Sequence, residues 1–369
     1  MADEHCAQVT IGLLNLTDAD IAADYTYSQA VAILTTVINP VMFTIGIFGN
    51  FCFVFTIARV RYMWTVLNIY LANMALCAVL VLVSLISNTL VRYQGSSVPW
   101  DFSPLGSIGC VFVNVVHDIA LWAALVFGGM VNLVLYRAVL RPFQFRRLGE
   151  RKSAIVLSTG TWLCSCCIGA AFSPTWLRLD TRCVAWPDTE QYSMYPDYIG
   201  VCSPVEEWVL IFHDLAQTIC FFVGGLIGIF TYATIFKKLK RVNPSPPEGN
   251  KQPLPRGRQR HVEVIKMVMI SSVVFYTFPM TYKCALFARS IAKLTNNYIL
   301  SEMQHNYLML VANNMMYVAP AICPYIYALT NSRYRSALVT AFTHGCRKKH
   351  HHFVIRTDRM STMHMTQQK

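Results

Sequence analysis

The sequence predicts an all-α membrane protein: a bundle of seven transmembrane helices followed by a short amphipathic eighth helix. Three observations carry this reading. Of 369 residues, 54% are hydrophobic and only 14% charged, with a mean hydropathy of +0.41; soluble domains carry about 25% charged residues. Seven apolar runs, at 30–58, 66–91, 108–140, 153–176, 209–236, 262–288 and 307–329, each meet the roughly 20-residue length that crosses a bilayer core. The basic residues alternate in side. Of 31 Lys and Arg, 25 fall on one side: Arg59 and Arg61, the stretch from Arg137 to Lys152, the stretch from Lys237 to Lys266, and everything from Arg333 on. By the positive-inside rule that side is cytoplasmic. An odd number of spans then makes the N-terminus extracellular, and the chain a multi-pass plasma-membrane protein. The net charge of +12 reads as a cytoplasmic face against membrane lipid, not as a nucleic-acid groove.

Residues 1–29 are polar and acidic and read as a flexible extracellular tail, with no apolar h-region of a cleavable signal peptide. The tail holds the only N-x-[ST] sequon, Asn15-Leu16-Thr17, a candidate glycosylation site. The bundle is expected over 30–331. Its first span holds Gly46, Gly49 and Asn50, small or polar groups that permit close helix contact. The second holds Asn68, Asn73 and Asn88. In the loop after it, Trp100 is either an interfacial anchor or a ligand contact.

The third span, from Cys110 to Pro142, organises the rest. As a helix it is roughly 50 Å long, at about 1.5 Å per residue, so it crosses at a tilt. Its outer half carries His117 and Asp118, which lipid does not tolerate unless they face protein or water. Asp118 either serves a ligand or pairs with His117 or His213 to tie helices together.

The fourth span has Trp162 and Pro174, and the long loop after it has Cys183 and Cys202. Extracellular cysteines pair, and Cys110 stands at the outer mouth of the third helix. Cys202, nearer the fifth span, is the favoured partner; Cys183 is the alternative, or pairs with Cys6. The cysteines inside spans read as small packing residues. The stretch 243–260 is Pro/Gly-rich and basic, and reads as a disordered cytoplasmic loop. Residues 332–345, with Leu338 and Phe342 four apart, read as a helix on the membrane surface. Cys346, followed by three basic residues, is a candidate for palmitoylation, and 346–369 reads as a disordered cytoplasmic tail.

Seven spans in this orientation, a cysteine heading the third and a short eighth helix resemble a rhodopsin-like (class A) G-protein-coupled receptor over residues 30 to 346. Gly49-Asn50 resembles the family's first-helix G-N, and Asn68–Ala75 its second-helix N-x-x-L-x-N-L-A. Trp162 matches the fourth-helix tryptophan, and Phe221, Tyr232, Ile235 and Leu239 the inner fifth helix. Pro279 and Pro324-x-x-Tyr327 match the sixth- and seventh-helix prolines. The resemblance implies an extracellular ligand, a heterotrimeric G protein and, in some members, arrestin as partners. It implies no cofactor and no enzymatic activity.

The departures from the pattern are specific. The second-helix aspartate that helps hold sodium in the family falls on Ala78, and the N-P-x-x-Y asparagine on Cys323. With Ala124 also in place of a polar group, oxygen ligands for a hard cation are lacking and no metal site is expected. The D-R-Y triplet reads Val134-Leu135-Tyr136, with Arg137 two positions on from the place of the family arginine. The C-W-x-P motif reads Tyr276-Thr277-Phe278-Pro279. Hinges survive where the usual latches do not. The resemblance therefore implies either a receptor that signals through a G protein with other latch residues, or a seven-helix decoy that sequesters ligand or signals through arrestin alone.

By the family's geometry, the ligand pocket falls on Asn88, on His117, Asp118 and Trp122, on His213 and Gln217, on Thr281 and Lys283, and on Asn313 and Tyr317. The amine-receptor aspartate would fall on His117 and the opsin lysine on Tyr317, so neither ligand type is expected. The second outer loop resembles that of peptide receptors, and its Tyr195–Cys202 segment that of melatonin-type receptors.

Overall fold

The structure, a computed structural model, describes residues 12–140, 151–242, 256–297 and 300–343. Its spans are α1 (Asn39–Arg59), α2 (Val66–Gly95), α3 (Gly106–Leu140), α4 (Arg151–Phe172), α5 (Glu207–Val242), α6 (Arg256–Thr295) and α7 (Glu302–Thr330), followed by α8 (Ser332–Thr343). Seven helices among the described residues are long and apolar enough to cross a membrane, and each coincides with an expected apolar run. The largest departure is α6, which continues past Ala288 to Thr295. Its last turns are held by ion pairs to α5, Lys293 to Glu207 and Arg289 to Asp214, so they need no lipid. At its other end α6 is already helical at Arg256, inside the stretch read as disordered, so Arg256, Arg258 and Arg260 belong to a helix. Residues 243–255, Cys6, Cys346 and the tail lie outside the described residues.

The small and polar groups of α1 act as expected. A Cβ on Gly49 would come 2.8 Å from the Tyr325 ring. Pro279 lies inside α6, and Pro320 and Pro324 inside α7. A proline frees the carbonyl four residues earlier; for Pro324 that is the Pro320 carbonyl. Asn50 Nδ2 donates to it at 2.9 Å and to Gly46 O at 2.8 Å, satisfying at membrane depth a group that lipid cannot. Asn73 ties α2 to α4 by accepting from Trp162 Nε1 at 2.8 Å and donating to Ser158 Oγ at 3.3 Å.

One end of the bundle carries a three-stranded sheet. β2 (Arg178–Ala185) pairs antiparallel with β3 (Tyr198–Ser203), in register Leu179 with Cys202, and β1 (Leu13–Asn15) lies parallel on the other edge of β2. The disulfide Cys110–Cys202 fastens β3 to the first turns of α3, with a Cα–Cα distance of 5.9 Å. Cys183 is in a separate disulfide. Asp101 Oδ1 accepts from Gly200 N and from Ser103 N, both at 2.8 Å, docking the α2–α3 loop on β3. A Cβ on Gly200 would lie 2.7 Å from Ser103 Oγ, so only glycine fits there.

The flexible-tail expectation is corrected for the described residues. Residues 13–38 form β1, short helices at Ala19–Asp24 and Gln29–Ile33, and a π-helical turn that leads into α1. Asp18 and Ser28 cap the two short helices. Leu16 and Ala22 are buried with Val98, Val184, Tyr192 and Ile199, and Leu16 N donates to Ala185 O at 2.8 Å. Leu16 and Ala22, with Leu14 and Tyr25 packed beside them, dock this acidic stretch on an open strand edge that β1 pairs with. Trp100 packs on the same small core, edge-on to Tyr307 of α7 at 6.3 Å, rather than standing free as an anchor.

Candidate functional site

Beneath the sheet, α3, α5 and α6 are joined through polar side chains withdrawn from lipid. Asp118, His213, Gln217 and Lys283 are each at most 3% exposed. His213 and Gln217 stand one turn apart on α5 and so share a face. His213 lies between two carboxylates: Nε2 is 3.1 Å from Asp118 Oδ2, and Nδ1 is 3.3 Å from Asp214 Oδ1. Gln217 Nε2 donates to Asp118 Oδ1 at 2.8 Å, and its Oε1 accepts from Lys283 Nζ at 2.6 Å. Asp214 accepts from Arg289 at 2.5 and 3.2 Å. Trp176, in the turn after α4, donates to Asp118 at 3.4 Å. The result is one chain of contacts: Arg289, Asp214, His213, Asp118, Gln217, Lys283. Acids and bases are brought together in this chain, with the neutral Gln217 bridging Asp118 and Lys283; removing the partner of a buried charge leaves that charge uncompensated, a cost of about 3–5 kcal/mol.

The expected pairing of Asp118 with His213 is the one formed. His117 is buried beside it, and its Nδ1 has no hydrogen-bond partner. Asn88 Oδ1, Trp122 Nε1 and Thr218 Oγ1 are likewise buried without a partner. Each such orphan costs about 1–3 kcal/mol, and together they leave hydrogen-bonding capacity unused at this level of the bundle. Trp122 lies nearly parallel to Phe172 of α4, with ring centroids 6.2 Å apart, and so looks sideways out of the cluster. Tyr317 is buried among Leu82, Ile86 and Met316, and Asn313 is half-buried on α7. Thr281 is a correction: it is exposed on α6 and donates to Phe278 O of its own helix, while Lys283 two residues on turns inward.

Toward the α8 end, the same three helices meet again. Tyr232 of α5 donates its hydroxyl to Asn132 Oδ1 of α3 at 2.7 Å and lies 2.6 Å from Ser272 Oγ of α6. Leu135 is buried in the apolar core with Val131, Ile235 and Met267, while Val134, Tyr136 and Arg137 are half-buried. A cavity beside Pro279 is lined by Ala78, Ala124 and Met316, with Asn50, Cys323 and Tyr327 as its polar members. Glu263 of α6 accepts from Ser332 N at 2.9 Å and from Ser332 Oγ, capping the start of α8.

Sequence reasoning missed Asp214, Arg289 and Trp176 at the outer cluster, and Asn132, Ser272 and Glu263 at the inner ties. A signal existed for Asp214. The His-Asp pair of α3 recurs at His213-Asp214, and an acid inside a span calls for a partner.

Residues 49–327 match the family of 7 transmembrane receptors (rhodopsin family). The chain is 26% identical to a purinoceptor, type 4, of Xenopus laevis over 290 residues, covering 77% of this chain and 49% of that receptor. It is 24% identical to somatostatin receptor type 5 of Rattus norvegicus over 251 residues, covering 66% and 61% respectively. It is 23% identical to neuromedin-U receptor 2 of Mus musculus over 321 residues, covering 85% and 76%. The match thus spans about half of the first of these receptors and about three-fifths of the second. These are signalling receptors, not enzymes. With its seven spans, its Cys110–Cys202 bridge and a family match across most of its length, the chain belongs to the rhodopsin family of seven-transmembrane, G-protein-coupled receptors.

Proposed function

We propose that the chain binds an extracellular ligand above the Asp118–His213 cluster and signals to a heterotrimeric G protein by rearranging α6 against α3 and α5. The observation that carries this reading is that these three helices are tied twice: by the buried charged chain under the sheet, and by Tyr232, Asn132 and Ser272 toward α8. A ligand that alters the first tie changes the relative energy of two packings that the second tie distinguishes. The relatives named for purine and peptide ligands, the purinoceptor and the somatostatin and neuromedin-U receptors, favour an extracellular ligand of one of those classes. The test is a screen of nucleotides and neuropeptides on cells expressing the chain, with separate G-protein and arrestin readouts. A ligand that activates a G protein supports the reading.

Leu135, buried where the family carries its arginine, favours a second reading: a receptor that sequesters ligand or recruits arrestin alone. Ligand uptake with no G-protein signal would select it.

Tyr232→Phe removes the hydroxyl that links Asn132 and Ser272 and is expected to raise ligand-free G-protein signalling about 3- to 10-fold, on the scale of one or two hydrogen bonds; a bioluminescence assay of G-protein dissociation measures it. For orientation in the membrane, the exposed Asn15 side chain uses only its carbonyl oxygen, toward Thr17, leaving the amide nitrogen free for a glycan. Glycosidase treatment is expected to shift the wild-type band on a gel, and not that of Asn15→Gln.

A further inference from the structure

On the lipid-facing side of the bundle, an apolar groove of about 290 Å³ runs between α1, α7 and α8, lined by Phe48, Cys52, Pro324, Ala328, Leu338 and Phe342. Along α1, Phe48, Cys52, Phe55 and Arg59 follow one another at helical spacing and form a stripe. Phe55 meets Phe342 of α8 with ring centroids 5.2 Å apart, and the Arg59 guanidinium lies over the Phe55 ring at 5.7 Å. The stripe therefore leads from the groove to a cation. Arg59 is exposed and has no carboxylate within ion-pair distance among the described residues, and neither has Arg61. No acidic residue occurs in α8. Arg333 and Arg335 donate to main-chain carbonyls instead, Arg333 to Tyr62 O and Arg335 to Ala328 O and Leu329 O. Tyr62 and Trp64, both exposed, mark the level of a headgroup region.

We infer that this groove is a binding site for one anionic phospholipid, with an acyl chain between α1, α7 and α8 and the net negative headgroup paired with Arg59. An apolar cleft open to the bilayer takes a hydrocarbon chain. The unpaired guanidinium at its end distinguishes an anionic headgroup from a zwitterionic one, and a cation near an anionic surface contributes about 1 kcal/mol, or roughly five-fold in occupancy. The stacking of Arg59 on Phe55 holds the charge at the end of the cleft, where a phosphate at the interface would sit. This site requires neither the ligand nor the G protein of the preceding section.

The test uses the full chain in lipid nanodiscs containing photoactivatable phosphatidylserine or phosphatidylcholine, with the diazirine on the acyl chain. Cross-linked peptides are mapped by mass spectrometry. Phosphatidylserine is expected to label the Phe48–Phe55 and Leu338–Phe342 segments about five-fold more than phosphatidylcholine does. Arg59→Gln should bring the two lipids to parity at those segments. Ala328→Phe, which narrows the cleft without touching a charge, should reduce labelling by both lipids. Equal labelling by the two lipids in the wild type would overturn the inference, as would phosphatidylserine labelling spread evenly over all seven spans. Arg59→Gln with the preference intact would overturn the assignment of the anionic headgroup to Arg59.

Discussion

Replacing Asp118 with asparagine is expected to lower ligand response at least about 100-fold while leaving surface expression within about two-fold of wild type. Asp118 accepts from His213, Gln217 and Trp176. Asparagine keeps the shape but offers one oxygen and turns the other acceptor into a donor, which then faces a donor. The network also loses a negative charge that offsets Lys283. Breaking a buried pair in this way costs about 3–5 kcal/mol, and a 100-fold loss corresponds to roughly 2.7 kcal/mol. If the cluster couples to ligand, the cost falls mainly on the liganded packing, and response falls before folding does. Asp118→Ala, which also leaves a void, should lose expression as well. Dose–response curves read beside surface immunostaining separate the two effects. A fall in expression that accounts for the whole loss of response in Asp118→Asn would make the cluster a structural tie only.

The second large effect is expected for Cys110→Ser. The bridge to Cys202 closes a loop of 92 residues of sequence separation. Chain-entropy arguments give such a crosslink about 2–5 kcal/mol of stability. Here its local consequence is greater than its global one. Without it, β3 keeps its hydrogen bonds to the α2–α3 loop, Gly200 N to Asp101 Oδ1 and Phe102 N to Gly200 O, but loses its covalent tie to α3, and the sheet above the polar cluster is held less tightly. Surface expression is expected to fall several-fold, and thermal unfolding in detergent to begin several degrees lower, on the scale of about 2–4 °C per kcal/mol for larger domains. Unchanged expression and unfolding would remove the bridge from any role in shaping the roof. Cys202→Ser should reproduce the effect, because each substitution breaks the same bond.

How much of this was legible beforehand depends on the kind of signal. The spans were legible because lipid leaves the sequence few options: about 20 apolar residues per crossing, with charges sorted by side. Asn50, Asn73 and Trp162 were legible as landmarks, and their hydrogen bonds give the physical reason for them. Of the polar cluster, Asp118, His213, Gln217 and Lys283 were legible because an ionisable or strongly polar group inside an apolar run must find a partner. Arg289 was not, because it lies beyond the apolar run and looked like a loop residue until α6 was seen to continue to Thr295. Thr281 was placed on the wrong face of its helix: a hydroxyl that bonds its own backbone needs no partner from the bundle, so polarity alone gave no direction. The N-terminal segment was misread because docking depended on a few apolar residues against an acidic background, Leu14, Leu16, Ala22 and Tyr25, and on the edge of a strand, β2, that lies far along the chain. Asn132 and Ser272 were invisible for a related reason. Nothing in their own helices distinguishes them from packing residues, and only Tyr232, reaching from α5, makes them a pair.

The measurement that bears most directly on the double tie is a distance between the α8-side ends of α4 and α6. Spin labels at Ser153 and Val262, both exposed, would report it by double electron–electron resonance in a background lacking the exposed cysteines. If the charged cluster and the Tyr232 tie bias one rearrangement of α6, then Asp118→Asn, far from either label, will shift or broaden the distance distribution, and Tyr232→Phe will move it as well. A distribution that moves with Tyr232→Phe and stays unchanged with Asp118→Asn would contradict the coupling.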